Sequence, residues 1–456
     1  MKNIFLSVII VLFALMSCNT LDKQAEKLYY QGNKFYKQQM FDEAIASYKE
    51  AVKIKPDMYE AWNNLGMVQT RIENFDEAIL CFDKTISIKP KMIDALHMKG
   101  LILTTTKRFD DALLCYNKII DINPNEHLSW YLKGFILLIQ KNYEGSINCF
   151  DKAIKLKKDD SYSNTYKGKA LSEIGKTTEA LKCLDEAIKI NPDFDEVYLI
   201  KGNTLSLDEQ NDEALKCFDE GIKRFTKFPK AWYEKGTIYT KMEKHEEAIN
   251  CYDKAINDDP DFADPYFMKG LELSKLGENA SALKCLDKGT SLNSEDSKFW
   301  FLKAKILLDL KIYTEALKCL DETIRLEPDK IDGWRAKGQI YYRLENYEQA
   351  IFNYDKALSI NDIDSASLNN KGLAYLKLNR ISEALDCFNK TLLFFPKNKE
   401  AMYNIACSFS LLKNKEEMIK SLKLSIELHP QIKENALKDD DFKGYWDDPD
   451  FIELMK

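Results

Sequence analysis

Residues 59–92 read YEAWNNLGMVQTRIENFDEAILCFDKTISIKPKM. Two amphipathic stretches share these 34 residues, each with the three-to-four-residue apolar spacing of a helix. Small residues, Gly66 at position 8 and Ala78 at position 20, let the two helices approach closely, and the large Trp62 and Phe82 fill the space around the crossing. Pro90 at position 32 ends the second helix, because it has no N–H and restricts the residue before it. Asp76 and Glu77 fall in the first turn of that helix, where the helix dipole favours negative charge. In steps of 34 in both directions, glycine recurs at Gly32, Gly66, Gly100, Gly134, Gly168, Gly202, Gly236, Gly270, Gly338 and Gly372, with Ala304 and Ala406 in the same register. Twelve such units run from Ala25 to Ile432 without an insertion, with alanine at position 20 in ten and proline at position 32 in eight.

That pattern resembles the tetratricopeptide repeat family over residues 25–432. The resemblance implies an all-α fold, a right-handed superhelical solenoid of twelve 34-residue helix-turn-helix repeats held by nearest-neighbour contacts. It also implies a concave groove lined by positions 2, 5, 9, 12 and 13 of each repeat. Composition agrees with helix: glycine and proline total 28 residues, about half the average usage.

The first eighteen residues, MKNIFLSVIIVLFALMSC, hold one lysine, an apolar run from Ile4 to Met16, then a small residue and a cysteine. Thirteen apolar residues fit a signal-peptide core and fall short of the roughly 18 needed to span a bilayer. Leu15-Met16-Ser17-Cys18 resembles the lipobox of bacterial lipoproteins, which implies cleavage of residues 1–17 and a lipid on Cys18. Residues 18–24 are then a lipidated linker that reaches at most about 20 Å beyond the cysteine when extended. The expected location is the cell envelope, lipid-anchored to a bacterial membrane, with the outer membrane favoured and the protein facing periplasm or surface. Asn19, where some inner-membrane lipoproteins carry aspartate, favours the outer membrane.

Net charge is -7, and -8 once Lys2 is removed, so no chain-wide phosphate-binding surface is expected and nucleic acid is not a partner. His97, His127, His245 and His429 occupy unrelated register positions, and no Cys-x-x-Cys, phosphate-binding glycine loop or nucleophile elbow occurs. No catalytic residue, cofactor or metal is expected, and the chain reads as a non-enzymatic scaffold. Nine cysteines recur at position 23, including Cys81, Cys217 and Cys387, on the buried stripe of the second helix. Neighbouring repeats hold them about 10 Å apart, beyond the roughly 7 Å a disulfide tolerates, so they read as small core hydrophobes. Lysine fills position 7 in nine consecutive units, Lys99 to Lys371, opposite the groove positions, and is expected as solvated or ion-paired surface.

The groove positions vary, as a recognition surface requires. His97, Leu101, Leu128, Tyr131, Phe135, Leu138 and Ile139 form one apolar stretch, and Phe267, Leu271, Phe301 and Leu308 a second. These eleven are the expected anchors for a partner peptide or helix, or, alternatively, the stacking platform of a glycan-binding envelope protein. Asn33 and Asn64 suit the carboxylate clamp of chaperone-binding relatives, but Tyr29, Asp94 and Met98 stand where its basic residues belong. In the acidic-aromatic tail, residues 433–456, Asp439 to Phe451 look briefly like a calcium loop, yet Lys443 stands where a ligand oxygen is needed. Phe442, Trp446, Phe451 and Leu454 are expected to cover the last repeat.

Overall fold

A computed structural model describes the backbone of residues 2–456 and the side chains from Thr20 onward. From Phe41–Ile54 to Lys415–Leu428, second helices of 14 residues alternate with first helices of 13, and no strand occurs among the described residues. The first helix of repeat one is the end of a longer helix, Lys2–Lys37. The expected signal segment and Cys18 lie outside the residues whose side chains are described. Thr20 to Gln24 is helical rather than extended, which shortens its reach to about 1.5 Å per residue. Asp22 within it pairs with Lys55 at 3.3 Å, tying the segment to repeat one.

Every repeat turns between its helices through a left-handed residue at position 15, with φ between 56° and 79°. In repeat two, Glu73 N–H donates to the Thr70 carbonyl at 3.1 Å, and Asn74 N–H donates to Gln69 at 2.9 Å. This is the Schellman closure of a helix C-terminus. Only Gly175 and Gly277 offer glycine there, so ten other side chains accept the left-handed conformation for the sake of the turn. The tryptophans at position 4 are half-buried and have a second job. Trp62, Trp130, Trp300 and Trp334 donate their indole N–H to the carbonyl of position 32 in the preceding repeat at 2.9–3.1 Å, pinning the loop between repeats.

The helix crossing inside each repeat is set by the pair at positions 8 and 24. An aromatic ring at 24 always faces glycine: Tyr48 faces Gly32, Phe82 faces Gly66 and Tyr354 faces Gly338. Where position 8 is Ala304 or Ala406, position 24 shrinks to Leu320 or Leu422. A Cβ at Gly338 would sit 2.6 Å from Cε1 of Tyr354, a ring that is 1% exposed. Gly338→Ala therefore costs about 1–3 kcal/mol by overpacking. Adding Tyr354→Leu, which reproduces the Ala304–Leu320 pair, should recover part of that loss in a double-mutant cycle read by hydrogen exchange. Strict additivity of the two substitutions would refute the pairing.

The chain divides into two compact units, Met1–Thr226 and Lys227–Lys456. In the first, core clusters centre on Tyr48 and on Phe82 with Tyr116. In the second, four clusters follow the repeats, centred on Phe299, Leu320, Tyr354 and Phe388. A fifth joins the last repeat to the tail, where Phe442 and Phe451 are fully buried against Ala406, Met418 and Leu422, with Trp446 and Leu454 packed at the edge. Lys415 holds Asp448 and Asp450 at 2.7 Å each, and Tyr403 donates its hydroxyl to Asp439 at 2.6 Å.

Candidate partner-binding grooves

In the first unit, repeats four and five gather aromatic rings. Tyr131 stacks on Phe135 at 6.3 Å, Phe135 meets Tyr166 edge-on at 5.0 Å, and Tyr162 lies 4.8 Å from Phe194. Leu101, Leu128 and Ile139 are exposed beside them at 41–47%. Leu138 is a correction: it is 8% exposed and so offers almost no surface to a partner. His97 is half-buried, its Nε2 3.4 Å from Glu126 and 3.3 Å from Ser129 Oγ, so it serves the joint between repeats three and four. Burial, aided by Asp160, pushes the Tyr131 hydroxyl well above the usual phenol range. Burial and the hydrogen bond to Glu196, 2.7 Å long, do the same for Tyr166. The rings thus stay neutral and offer apolar faces with one polar edge.

Sequence reasoning missed Tyr162, Tyr166 and Phe194. Tyr166 and Phe194 occupy positions 6 and 34, outside the five groove positions. The available clue was the pair Tyr162 and Tyr166, four residues apart on one helix face.

In the second unit, Phe267 meets the buried Phe299 edge-on at 5.4 Å, and Leu271 packs on the same cluster. Phe301 and Leu308 instead line a cavity of about 490 Å³ with Lys305, Arg335, Gln339, Arg343 and Asn370. Arg335 is held by Asp332 and by Asp364, the latter at 3.1 Å. All four residues of the second stretch are half-buried and rest on core clusters, and Phe301 and Leu308 also line the cavity.

At the head of the first unit, Asn33 Oδ1 accepts hydrogen bonds from Tyr48 at 2.7 Å and from Asn64 at 2.8 Å. Burial pushes the Tyr48 hydroxyl up to about 12. The two asparagines are engaged with each other rather than presented as a pair of ligand donors.

The lysines of position 7 form inter-repeat bridges. Lys99, Lys167, Lys201, Lys269, Lys303, Lys337 and Lys371 each reach the aspartate at position 25 of the preceding repeat at 2.5–2.7 Å. Burial works against the Lys201 ammonium, yet the hydrogen bond to Asp185 holds it above the ordinary lysine range. Lys133 has Asn117 in place of the aspartate and lies over the Trp130 ring at 5.6 Å. The position-23 cysteines are buried or half-buried free thiols. Burial pushes Cys81 and Cys217 up to about 12 and Cys387 to about 11, the opposite of a reactive thiolate.

Beside the tail, Cys407, Asp439 and Asp441 place one potential ligand atom each within 4.8 Å. Asp439 is already spent on Tyr403 and on the Asp441 N–H, 3.1 Å away, which makes this a cap anchor.

Residues 32–72 match a family model described as TPR repeat. Residues 331–362, 365–398, 165–194 and 399–432 match two models described as tetratricopeptide repeat. Residues 71–153 and 241–323 match one described as anaphase-promoting complex, cyclosome, subunit 3. A search of curated proteins returned no match. Among solved structures, a tetratricopeptide repeat protein from Parabacteroides merdae is 19% identical, covering 55% of this chain and 99% of its own, with a TM-score of 0.46. The Cut9 and Hcn1 hetero-tetramer of the anaphase-promoting complex is 15% identical over 95% of this chain and 96% of that one, at 0.40. Yeast Tom70 is 17% identical over 94% and 99%, at 0.36.

Proposed function

From the premise that the chain is a tetratricopeptide repeat protein, we propose that it is a non-enzymatic scaffold, tethered by lipid on Cys18 to a bacterial envelope membrane, that holds a partner peptide or helix in its concave groove. The observation that carries the groove reading is the run of exposed Leu101, Leu128 and Ile139 beside the Tyr131–Phe135 stack. Exposed apolar side chains grouped around aromatic rings are what a partner's apolar face buries. Among the described residues no helix is long and apolar enough to cross a membrane. The tether reading rests on the lipobox resemblance alone.

A photo-crosslinking residue at Phe135 in living cells tests the groove. The expected outcome is one dominant protein adduct; silence at both Phe135 and Phe301 would overturn it. Cys18→Ala should release the protein from membranes and abolish its lipid mass increment, and unchanged partitioning would remove the tether. A glycan reading is favoured by one feature, Tyr162, which is 48% exposed over the aromatic cluster. It alone requires retention on purified cell-wall polymer.

A further inference from the structure

We propose that the groove of repeats nine to eleven takes an acidic peptide segment carrying a bulky apolar side chain, an inference that rests on the groove reading and names the chemistry of its occupant. Charge is the first argument. The five concave positions of repeats seven to twelve hold eight lysines and arginines against four acids, within a chain of net charge -7. The same positions in repeats one to six hold three basic residues against five acids. The positive excess therefore belongs to one groove, where it raises the local concentration of an anionic partner.

Shape is the second argument. Phe301, Leu308 and Ala336 give the cavity of about 490 Å³ an apolar lining. Lys305 and Arg343 stand exposed at its rim, and neither enters an ion pair with a described residue. Arg335 is fixed in place by two aspartates, and Gln339 and Asn370 can meet the main chain of an extended segment. A carboxylate on either side of an apolar anchor would thus find a cation, and the anchor would fill the cavity. Asp309 and Asp332 in the same lining disfavour a uniformly charged polyanion, which selects a mixed acidic and apolar segment over nucleic acid.

Selection of displayed random peptides of about twelve residues on the full-length protein in detergent tests this. Enriched peptides should carry net negative charge and at least one Phe, Trp or Leu. Binding of a synthetic copy should fall roughly tenfold when Lys305→Glu and Arg343→Glu are combined, and should weaken with added salt. The milder pair Lys305→Gln and Arg343→Gln should give an intermediate loss with helicity unchanged. Enrichment of neutral or basic peptides, indifference to both variant pairs, or tighter competition by a single-stranded oligonucleotide would overturn the acidic assignment. Enrichment of no peptide would overturn it too. In each case the Phe135 crosslink reports separately on whether a groove is used at all.

Discussion

Raised from neutrality to about pH 12, the protein should lose its helical signal cooperatively, the loss setting in above the pH at which exposed thiols ionise. Cys81 and Cys217 are 3% and 4% exposed, and burial holds both near 12, against about 8.5 for a free thiol. Tyr116 and Tyr233 are likewise pushed up by burial to about 12. A folded pKa above the unfolded one contributes stability that is complete below the unfolded value and is lost as pH climbs through the folded value. Each tenfold displacement is worth about 1.4 kcal/mol, so several such groups together exceed the few kcal/mol that hold a repeat array. Circular dichroism and thiolate absorbance followed together against pH check this. Thiolate appearing near its ordinary pKa with helicity intact would show that the cysteines are not core residues.

Phe442→Ala should undock the tail and fray the last two repeats. Phe442 is fully buried, 5.9 Å from the equally buried Phe451 and 5.8 Å from Tyr403. Truncating a buried phenylalanine costs about 3–5 kcal/mol, and in a repeat array that loss is felt mainly by neighbours. Hydrogen exchange should therefore accelerate over residues 365–456 while the first unit keeps its protection. Uniform acceleration along the chain, or none, would contradict a local capping role.

The fold was legible because its information is repeated: a 34-residue step in glycine, alanine and proline fixes helix length, crossing and turn twelve times over. The left-handed position 15 was not legible, since Glu73, Lys107 and Gln39 are not turn residues by type and take that conformation only because the Schellman bonds hold them there. The partnership of the lysine at position 7 with the aspartate at position 25 escaped for another reason. The two lie 16 residues apart, a spacing that means nothing on one helix and becomes contact only once repeats stack. In the candidate grooves, the register pointed to Phe135 and Phe301, which sit in the aromatic cluster and in the cavity lining, but could not separate from them Leu138, which is buried, or Phe267, which meets the buried Phe299 of the next repeat. Glu272 was equally hidden. It occupies a position that is isoleucine in five other repeats and is fully buried, with His245 Nδ1 at 2.5 Å and Lys275, its countercharge, at 2.8 Å.

The rungs that join the lysine at position 7 to the aspartate at position 25 also give the chain a mechanical pattern. Each described rung clamps one joint, and worth about 0.5–1 kcal/mol apiece they resist hinging more than they add to folding. Three joints lack one: Lys49 opposes Leu65, Asn117 opposes Lys133, and Asn389 opposes Ile405. If these rungs set the resistance to hinging, a pulling experiment should find the joints between repeats one and two, three and four, and eleven and twelve yielding first. At the joint between three and four, His97, set between Glu126 and Ser129, bridges where the rung is missing, beside the exposed Leu101 and Leu128 where a partner would have to be gripped.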